Sequence, residues 1–463
     1  MSFTVCRPEA FGVSSAGVLR FLDDLERRGL QQHSVCVRRH GEIVLQYTWA
    51  PYHEEQPHML YSLTKGFLSA AAGLALEEGK LSLDTPVLPL LRNDVSSSAA
   101  GTEQITVRHL LTMTAGFAPE TDRAPGEKEN WAERMLSVPL THEPGSCFHY
   151  NSMSSYILSL VIQRAVGEPV VDYLQPRLFD SLGIKKPRWA ASPQGGSLGG
   201  TGLYLTAEQV SRFGQLLLDN GVYRGQRVLP EAYLREARKP QADSSRHGHG
   251  PDWTNGYGYQ MWPSLYGRFR ADGMNGQVCL AAPDKDAVIA VTAGLPNLAS
   301  HMEALHAFLN DAFDDAPSPE DIRRSLRERL KTLSEPLPEG RGCLPEALAG
   351  AYQNAEGETL ILSAEGETLT VQWDGHALCA GRGAYREAVF ENPAFLIRTQ
   401  APLLQPETYA AAYGLHGKTL DMTTRFLTYS YTRYDRFDFD DAGLTHTQSG
   451  VRVDSKKERF VKI

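Results

Sequence analysis

Apolar residues recur at helical spacing in several segments of the first three hundred residues. The first segment, 14–29, ends at a glycine, and its apolar positions are Val18, Leu19, Phe21, Leu22 and Leu25. Later segments show the same spacing and close at a glycine or a glycine-containing turn: 63–79, 106–114, 152–167 and 206–220. Because residues three and four apart share one face of a helix, these segments predict helices and a largely helical middle of the chain.

Two β-hairpins are predicted on either side of this helical region. In the first, the apolar runs 35–37 and 43–45 flank the turn signal His40-Gly41. In the second, apolar residues between Gln277 and Val291 flank a turn at 283–286. Short apolar runs around such turns are typical of antiparallel hairpins. We therefore predict a mixed α/β (α+β) domain over residues 1–313, with an antiparallel sheet flanked by helices and a helical subdomain; a last helix is expected near 298–313.

The pattern changes after residue 313. Residues 314–319 break the helical spacing, an arginine-rich helix is predicted over 321–333, and 336–340 is rich in proline and glycine, so we expect a linker over 314–340. Beyond it, apolar and polar residues alternate around glycine turns, which predicts an all-β domain over 341–463. Its aromatic residues are expected to fill that core: Trp373, Tyr429, Tyr431, Tyr434, Phe437 and Phe439. Three roles stay open for this domain, namely covering an active-site mouth, self-association or substrate recognition.

Composition favours a small-molecule partner. The 463 residues include 46 Lys and Arg against 55 Asp and Glu, a formal net charge of −9, without a block of like charges that would suit nucleic acid or an anionic membrane. The chain start lacks the pattern of a secretory signal, so a cytoplasmic protein is expected. No cofactor or metal is predicted, and a homo-oligomer is left open. Six dispersed cysteines predict free or buried thiols: Cys6, Cys36, Cys147, Cys279, Cys343 and Cys379.

The motif with the clearest chemistry is Ser62-Leu63-Thr64-Lys65 at the start of the segment 63–79. A spacing of three places the Ser62 hydroxyl and the Lys65 amine on one helical face. An unprotonated lysine there accepts the hydroxyl proton, while the helix N-terminus favours the developing negative charge. The pair therefore predicts a serine nucleophile with its own base.

Further segments resemble the serine β-lactamase and penicillin-binding-protein superfamily, in its class C-like branch. Residues 110–116, Leu-Leu-Thr-Met-Thr-Ala-Gly, resemble the family's Leu-Leu-Thr-x-Thr-Ser/Ala-Gly segment. Residues 144–152, Pro-Gly-Ser-Cys-Phe-His-Tyr-Asn-Ser, are similar to its Pro-Gly-x-x-Phe-x-Tyr stretch. The likeness covers roughly residues 10–313, with its motifs in the family's order, and implies a β-lactamase-like sandwich fold for the first domain.

The resemblance implies a role for each matching residue. Ser62 is similar to the family's nucleophile, Lys65 to the partner that helps remove its proton, and Tyr150 to the tyrosine that completes the base and protonates the leaving group. A lysine ammonium lowers the pKa of a neighbouring phenol, and burial lowers the pKa of a lysine, so such a pair converges towards neutrality. Asn151 and Ser152, which follow the tyrosine, are candidate substrate-binding residues.

The third family motif, Lys-Thr-Gly, is replaced here. The matching stretch is 273–277, Gly-Met-Asn-Gly-Gln, so Met274 stands where the family has a cation that binds a substrate carboxylate. The backbone N–H of Gln277, with that of Ser62, is expected to form an oxyanion hole, with Gly276 and Asn275 beside it. Arg270 is an alternative source of a positive charge at this place.

This departure narrows the expected substrate. Gly-x-x-Gly-Gln without the lysine, and Tyr-x-Ser in place of Tyr-x-Asn, are similar to the esterase and 6-aminohexanoate-dimer hydrolase branch. We therefore predict hydrolysis of a carboxylic ester or small linear amide through an acyl-Ser62 intermediate. The enzymatic alternatives are a D-amino-acid-specific peptidase and β-lactamase or penicillin-binding activity. A non-catalytic binding module on the same fold is the alternative from another class.

Two other patterns are set aside. Gly195-Gly-Ser197-Leu-Gly199 matches the Gly-x-Ser-x-Gly nucleophile elbow, but neither a buried strand before it nor a helix after it is predicted, so a glycine-rich loop near the site is expected. His247-Gly248-His249 lacks nearby residues to complete a zinc site and is expected in a solvated loop. The loops 117–143 and 239–272 are expected to shape the substrate pocket.

Overall fold

The computed structural model describes residues 3–118, 128–314, 316–373, 375–390, 407–451, 453 and 455–463. The chain divides into two compact units. The first comprises Met1–Thr48, Pro57–Ala293 and Asn297–Thr332. The second comprises Trp49–Gln56, Gly294–Pro296 and Leu333–Ile463. The helix within the predicted linker therefore belongs to the first unit, and two short segments from earlier in the chain belong to the second.

Both predicted hairpins form in the first unit and join in one sheet. The strands of this unit are β1 (Phe3–Cys6), β2 (Gln32–Arg39), β3 (Glu42–Thr48), β4 (His58–Met59), β5 (Tyr204–Leu205), β6 (Val222–Tyr223), β7 (Gln226–Arg227), β8 (Trp262–Pro263), β9 (Phe269–Gly273), β10 (Gln277–Ala282) and β11 (Ala287–Ala293). Seven of them form an antiparallel sheet in the order β1-β3-β2-β11-β10-β9-β8. Because β2 pairs with β11, the two hairpins, which are far apart in the chain, meet in the centre of the sheet.

The turn between β2 and β3 shows why the first hairpin forms where the sequence predicts it. Its two residues, His40 and Gly41, have φ angles of +52° and +78°. A two-residue turn with both φ angles positive matches the twist of the flanking strands, and glycine adopts that conformation without strain. The sheet expected from the two hairpins is thereby confirmed.

Helices flank the sheet and form the rest of the first unit. They are α1 (Ser15–Arg27), α2 (Thr64–Glu77), α3 (Val107–Leu111), α4 (Trp131–Ser137), α5 (Ser152–Val166), α6 (Val170–Leu174), α7 (Ala207–Leu218), α8 (Glu231–Ala237), α9 (Leu298–Ala312) and α10 (Glu320–Lys331). All predicted helical segments contain one of these helices. The α1 and α9 helices pack together, with Phe21 and Phe308 stacked at 4.5 Å between ring centroids. The α7 helix packs on the sheet, where Gly214 lies against Val288.

The second unit is a closed β-barrel. Its strands are β12 (Gly350–Gln353), β13 (Thr359–Glu365), β14 (Thr368–Trp373), β15 (His376–Arg382), β16 (Arg386–Phe390), β17 (Glu407–His416), β18 (Thr419–Phe426), β19 (Thr432–Phe439), β20 (Gly443–Val451) and β21 (Lys456–Lys462). They form one sheet in the order β15-β14-β13-β12-β21-β20-β19-β18-β17-β16. A parallel pairing of β15 with β17 closes the ring. The all-β nature predicted for this part of the chain is confirmed.

The barrel interior combines aromatic packing with a buried ionic network. Asp435 accepts hydrogen bonds from Arg433 at 2.9 Å and from His446 at 2.8 Å. The Trp373 ring lies 4.8 Å from the Arg433 guanidinium. Burial opposes the charged form of Asp435, but the Arg433 charge and the His446 hydrogen bond outweigh it and lower the pKa of that carboxyl. Phe437, as expected from its alternating position, is fully buried in this core.

Candidate active site

Ser62 lies in a strained turn at the start of α2. The preceding residue, Tyr61, has a φ of +48°, which a bulky side chain rarely adopts. The end of β9 abuts this turn, since a Cβ on Gly273 would overlap the Leu60 carbonyl oxygen and lie 3.1 Å from the Leu63 nitrogen. Only glycine therefore lets β9 approach so closely. The turn presents Ser62 at the N-terminal end of α2, where the helix dipole favours negative charge.

Lys65 is the centre of the site. Its Nζ is hydrogen-bonded to Ser62 Oγ at 2.9 Å, to Ser152 Oγ at 3.2 Å and to the Gly200 carbonyl oxygen at 2.9 Å. It also lies 4.9 Å from the centroid of the Tyr150 ring. The residue is only 1% exposed, so its amine is held in one place by these partners. The structure thus brings together Ser62, Lys65, Tyr150 and Ser152, which lie up to ninety residues apart in the chain.

Tyr150, Asn151 and Ser152 occupy the start of α5. Asn151 is buried, and its Oδ1 accepts the Ser154 N–H at 3.0 Å, which makes Asn151 the N-cap of the helix. This cap fixes the backbone between Tyr150 and Ser152, so that both side chains reach the Lys65 amine. Ser152 is hydrogen-bonded to the Lys65 amine, and the Tyr150 ring lies beside it.

The glycine-rich loop 195–202 supplies the third partner of Lys65. A Cβ on Gly200 would lie 2.7 Å from the Ser152 carbonyl oxygen, so this loop passes directly over the start of α5. Ser197 is 3% exposed, and its backbone N–H points to Gln163 Oε1 at 3.4 Å. Ser197 forms an isolated β-bridge with Ala191, and no helix begins at Gly199 in this described segment. The loop therefore positions a carbonyl oxygen and lacks the strand–turn–helix geometry of a nucleophile elbow.

The turn 273–277 follows the strand that touches the Ser62 turn. Asn275 has a φ of +61° and Gly276 a φ of +93°. The Gln277 side chain is buried, donates to the Met274 carbonyl at 3.0 Å and exchanges hydrogen bonds with the Ala293 backbone. Its amide therefore ties the turn to β11. Met274 is 45% exposed and directly follows β9. The last three residues of that strand, 271–273, carry no positive charge.

Arg270 does not replace the missing cation. Its side chain is fully buried, with Nε donating to Asp272 Oδ2 at 2.9 Å and Nη1 to the Asp252 carbonyl at 3.0 Å. The guanidinium also lies 4.5 Å from the centroid of Trp253. The expectation that Arg270 provides a positive charge for a substrate carboxylate is therefore wrong, because these partners and the surrounding rings enclose it.

Sequence reasoning missed an aromatic cluster around the tyrosine. The Tyr150 ring stacks on Trp262 at 5.7 Å with an interplanar angle of 19°, and His247 lies 5.9 Å from it. Phe148 contacts His247 at 5.9 Å between centroids. Burial, together with His249 beside it, lowers the pKa of His247. His247 is thus half-buried against Tyr150, and the expectation that it lies in a solvated loop is wrong. The aromatic residues at 257–262 were the sequence feature that could have indicated this cluster.

The loop that carries His247 is tied to the core through Asp252. Ser244 closes the loop, since its hydroxyl donates to the Trp253 carbonyl at 2.7 Å and accepts the Gly256 N–H at 3.0 Å. The Asp252 carboxylate, buried inside, is hydrogen-bonded to Ser264 and to His306 Nε2 at 3.1 Å. Burial opposes its charged form, but the hydrogen bond with His306 and the charge of Arg270 outweigh burial and lower its pKa to about 2.

We expect Asp252→Asn to destabilise the protein most at neutral pH. The folded-state pKa lies below the ordinary value of 3.8, so the ionised group stabilises the fold above pH 4, and this contribution is lost as the pH falls towards 2. A shift of this size corresponds to about 2 kcal/mol. Denaturant unfolding between pH 7 and pH 3 should show a variant deficit of that order that shrinks at acid pH. Asp23→Asn, on the exposed face of α1, is the control; a deficit independent of pH would contradict the assignment.

Metal ligands are sparse in the described part of the chain. One group of three carboxylates, Glu356, Glu358 and Glu458, has ligand oxygens within 4.8 Å of one another. Lys456 lies 3.7 Å from Glu358 and 2.5 Å from Glu458, so its ammonium already compensates part of that charge. The pocket-shaping segment expected at 117–143 is described in part, since residues 119–127 lie outside the described residues; its helix α4 is included.

Comparisons with known proteins relate the first unit to one family. A family model described as Beta-lactamase matches residues 20–313. A 6-aminohexanoate-dimer hydrolase from Paenarthrobacter ureafaciens is 23% identical over 306 residues, covering 60% of this chain and 76% of the relative.

Two solved structures share the fold. A penicillin-binding protein homologue from Caulobacter crescentus superposes with a TM-score of 0.53 at 16% identity, over 66% of this chain and all of that one. EstCE1, titled a hydrolase with promiscuous acyltransferase activity, gives a TM-score of 0.53 at 18% identity, over 64% and 99% of the two chains. None of the helices in the described residues is long and apolar enough to span a membrane.

Proposed function

Because the chain belongs to the beta-lactamase family and is a hydrolase of that family, we propose that it cleaves carboxylic esters or small linear amides through an acyl intermediate on Ser62. The observation that carries this proposal is the Lys65 amine, which is buried and hydrogen-bonded to Ser62 Oγ at 2.9 Å. A serine hydroxyl becomes a competent nucleophile when such a base is within hydrogen-bond reach.

In the first half-reaction, Ser62 Oγ attacks the substrate carbonyl carbon. Its proton passes to the Lys65–Tyr150 pair, and the carbonyl oxygen becomes an oxyanion. We propose that the backbone N–H groups of Ser62 and Gln277 bind this oxyanion, with Asn275 and Gly276 shaping the turn beside it. The contact between the β9 end and the Ser62 turn supports a donor from this turn.

The leaving group then departs with a proton. The bond between the carbonyl carbon and the ester oxygen or amide nitrogen breaks, and Tyr150 transfers its hydroxyl proton to that atom. Water next attacks the acyl-Ser62 carbon, the same pair accepts the water proton, and Ser62 regains its hydrogen as the acid is released. Ser152 and the Gly200 carbonyl keep the Lys65 amine in place throughout the cycle.

The absence of a cation on the end of β9 favours esters and linear amides over β-lactams. Penicillins carry a carboxylate that a charge-assisted hydrogen bond binds with about 1.5–3 kcal/mol. Neither Met274 nor the enclosed Arg270 offers such a contact. The name of the hydrolase relative, which refers to a linear amide, supports the same substrate class.

The first test is covalent labelling with a fluorophosphonate probe, followed by intact-mass measurement. We expect one label on the wild-type protein and on Ser197→Ala, and none on Ser62→Ala, because the probe reacts with an activated serine. No label on the wild type would instead favour a binding module. A label lost only in Ser197→Ala would overturn the assignment of the nucleophile.

A substrate comparison tests the proposed class. Purified protein is expected to hydrolyse short-chain aryl esters faster than a cephalosporin reporter at equal concentration, since the carboxylate contact is missing at the β9 end. A faster reaction with the cephalosporin would reject the ester and amide preference while leaving the acyl-Ser62 chemistry in place.

A further inference from the structure

The side chain of Gln277 makes contacts that the proposed reaction does not use. Gln277 follows the turn 274–276, which connects β9 to β10, and it is fully buried. Its Nε2 donates to the Met274 carbonyl oxygen at 3.0 Å and to the Ala293 carbonyl oxygen at 2.8 Å, which uses both amide hydrogens. Its Oε1 accepts the Ala293 N–H at 3.1 Å. One side-chain amide therefore binds two separate backbone segments.

This amide extends the pairing of β10 with β11 past the end of the β10 backbone. The register of the two strands sets Val278 opposite Val291. Continued by two residues, the same register would set Gly276 opposite Ala293. Gly276, however, has a φ of +93° and lies in the turn. The Gln277 amide takes the place of a strand peptide there, because it exchanges two hydrogen bonds with Ala293, as paired residues of antiparallel strands do.

Ala293 is held firmly on its other side. It is the last residue of β11, which is the central strand of the seven-stranded sheet. Ala293 is fully buried and pairs with Gln32 of β2. The Gln277 side chain thus connects the turn 274–276 to the centre of the sheet, and its third hydrogen bond, to Met274, fixes the start of the same turn.

The position of this turn affects the proposed oxyanion hole. Asn275 and Gly276 both have positive φ angles, and asparagine adopts that conformation less readily than glycine, so the turn gains from outside support. Gly273 pairs with Gln277 and lies against the turn that carries Ser62. A shift of the turn would therefore change the position of the Gln277 backbone N–H relative to that of Ser62. Oxyanion donors stabilise a transition state only when they are held in place beforehand.

We propose that the Gln277 side chain is a positioning residue for the oxyanion hole. By binding Ala293 and Met274 it holds the Gln277 backbone N–H where the substrate carbonyl oxygen becomes negative; the inference rests on the proposed function for the identity of this donor. The side chain itself touches no substrate and forms no covalent bond. Because the charge on that oxygen develops in the transition state, losing the side chain lowers kcat more than it raises KM.

The first test compares an ester with its thionoester in Gln277→Met, which keeps a similar length and removes the three hydrogen bonds. The substrates are phenyl acetate and O-phenyl thioacetate, in which sulfur replaces the carbonyl oxygen. Sulfur is a weak hydrogen-bond acceptor, so the thionoester depends less on the oxyanion donors. For phenyl acetate we expect kcat to fall about 10²-fold, the effect of a misplacement of about 1 Å, with little change in KM. For the thionoester the fall should be less than about tenfold.

An equal loss on both substrates would indicate a general disturbance of the site and overturn the inference, as would unchanged kinetics. The control is Gln215→Met on α7, a buried glutamine whose amide donates to Asp219 at 2.9 Å. Its kinetics should match those of the wild type on both substrates, since its contact lies within and just after its own helix.

Gln277→Glu tests the same role with a conservative change. A protonated glutamic acid accepts the Ala293 N–H and donates to the Ala293 carbonyl oxygen, so it keeps two of the three contacts, and burial favours that protonated form. Assayed at pH 6, its kcat for phenyl acetate should lie between the values of the wild type and Gln277→Met. A loss as large as that of Gln277→Met would count against the role of these contacts.

Hydrogen exchange separates this inference from the proposed function. Exchange of the backbone amides of 274–277 is expected to be about tenfold faster in Gln277→Met than in the wild type, and unchanged in Gln215→Met, because an amide is protected by the structure that holds it. Faster exchange, in a protein whose wild type takes no fluorophosphonate label, would support the Gln277 contacts and reject the proposed function. Unchanged exchange would reject the positioning role, even if Ser62 is labelled as expected.

Discussion

Replacing Lys65 with methionine is expected to reduce kcat for ester hydrolysis by about 10³- to 10⁴-fold, the upper part of the range of about 10²- to 10⁴-fold that a positioned proton-transfer group contributes. Methionine has a similar length and is apolar, so it fills the buried space without a donor or a base. The Ser62 hydroxyl then loses its hydrogen bond to the Lys65 amine and, with it, the route for its proton. The measurement is steady-state hydrolysis of an aryl ester, with thermal unfolding to show that the variant is folded.

The matched control is Lys239→Met. Lys239 is exposed and paired with Glu236 at 2.7 Å, in the segment that follows α8. Surface substitutions of this kind change stability by less than about 0.5 kcal/mol, and we expect activity close to that of the wild type. A Lys65→Met protein that is folded and retains a tenth of the wild-type kcat would show that another group removes the Ser62 proton.

Tyr150→Phe is expected to lower kcat by about 10²- to 10³-fold for substrates with a poor leaving group. Phenylalanine preserves the ring that stacks on Trp262 at 5.7 Å and removes only the hydroxyl. A nitrophenolate leaves without a proton, whereas an alkoxide or an amine requires one. The loss should therefore be much smaller for a 4-nitrophenyl ester than for an alkyl ester or an anilide with the same acyl group.

Tyr156→Phe provides the comparison for this substitution. Tyr156 is buried on α5 one and a half turns further along, and its hydroxyl donates to Ser192 Oγ at 3.0 Å. Removing it costs a buried hydrogen bond, about 1 kcal/mol of stability, without touching the Lys65 cluster. If Tyr150→Phe reduced all substrates equally, its hydroxyl would act on the Ser62 proton alone and not on the leaving group.

Local patterns predicted the elements that carry the catalytic candidates. Ser62 lies in the turn directly before α2 and Lys65 in the first turn of that helix, so their spacing of three brings the two side chains together locally, and apolar spacing predicted α5, which the Asn151 cap begins. These features depend on residues within a few positions of each other, so hydrophobic spacing and capping signals are sufficient.

Contacts between distant segments were beyond that reasoning. The Gly200 carbonyl reaches Lys65 across 135 positions, and nothing near Gly200 indicates its partner. The surroundings of Arg270 were equally hidden. Alternation along β9 predicts which face of the sheet its side chain occupies, but Asp252 and Trp253, which help to enclose it, come from another segment. His247 packs on Tyr150 through tertiary structure, so the His-Gly-His motif indicated a metal or solvent and gave no sign of this aromatic contact.

The composition of the second unit bears on how the chain is assembled during synthesis. Residues 49–56 contribute to that unit, although they are translated long before the barrel strands. Tyr52 packs there against Ala410 and Leu427, near the end of the chain. The first sheet can form once β11 has emerged from the ribosome, whereas the barrel waits for β21. A fragment beginning at residue 341 therefore lacks Tyr52 and the rest of segment 49–56, which belong to the core of this unit.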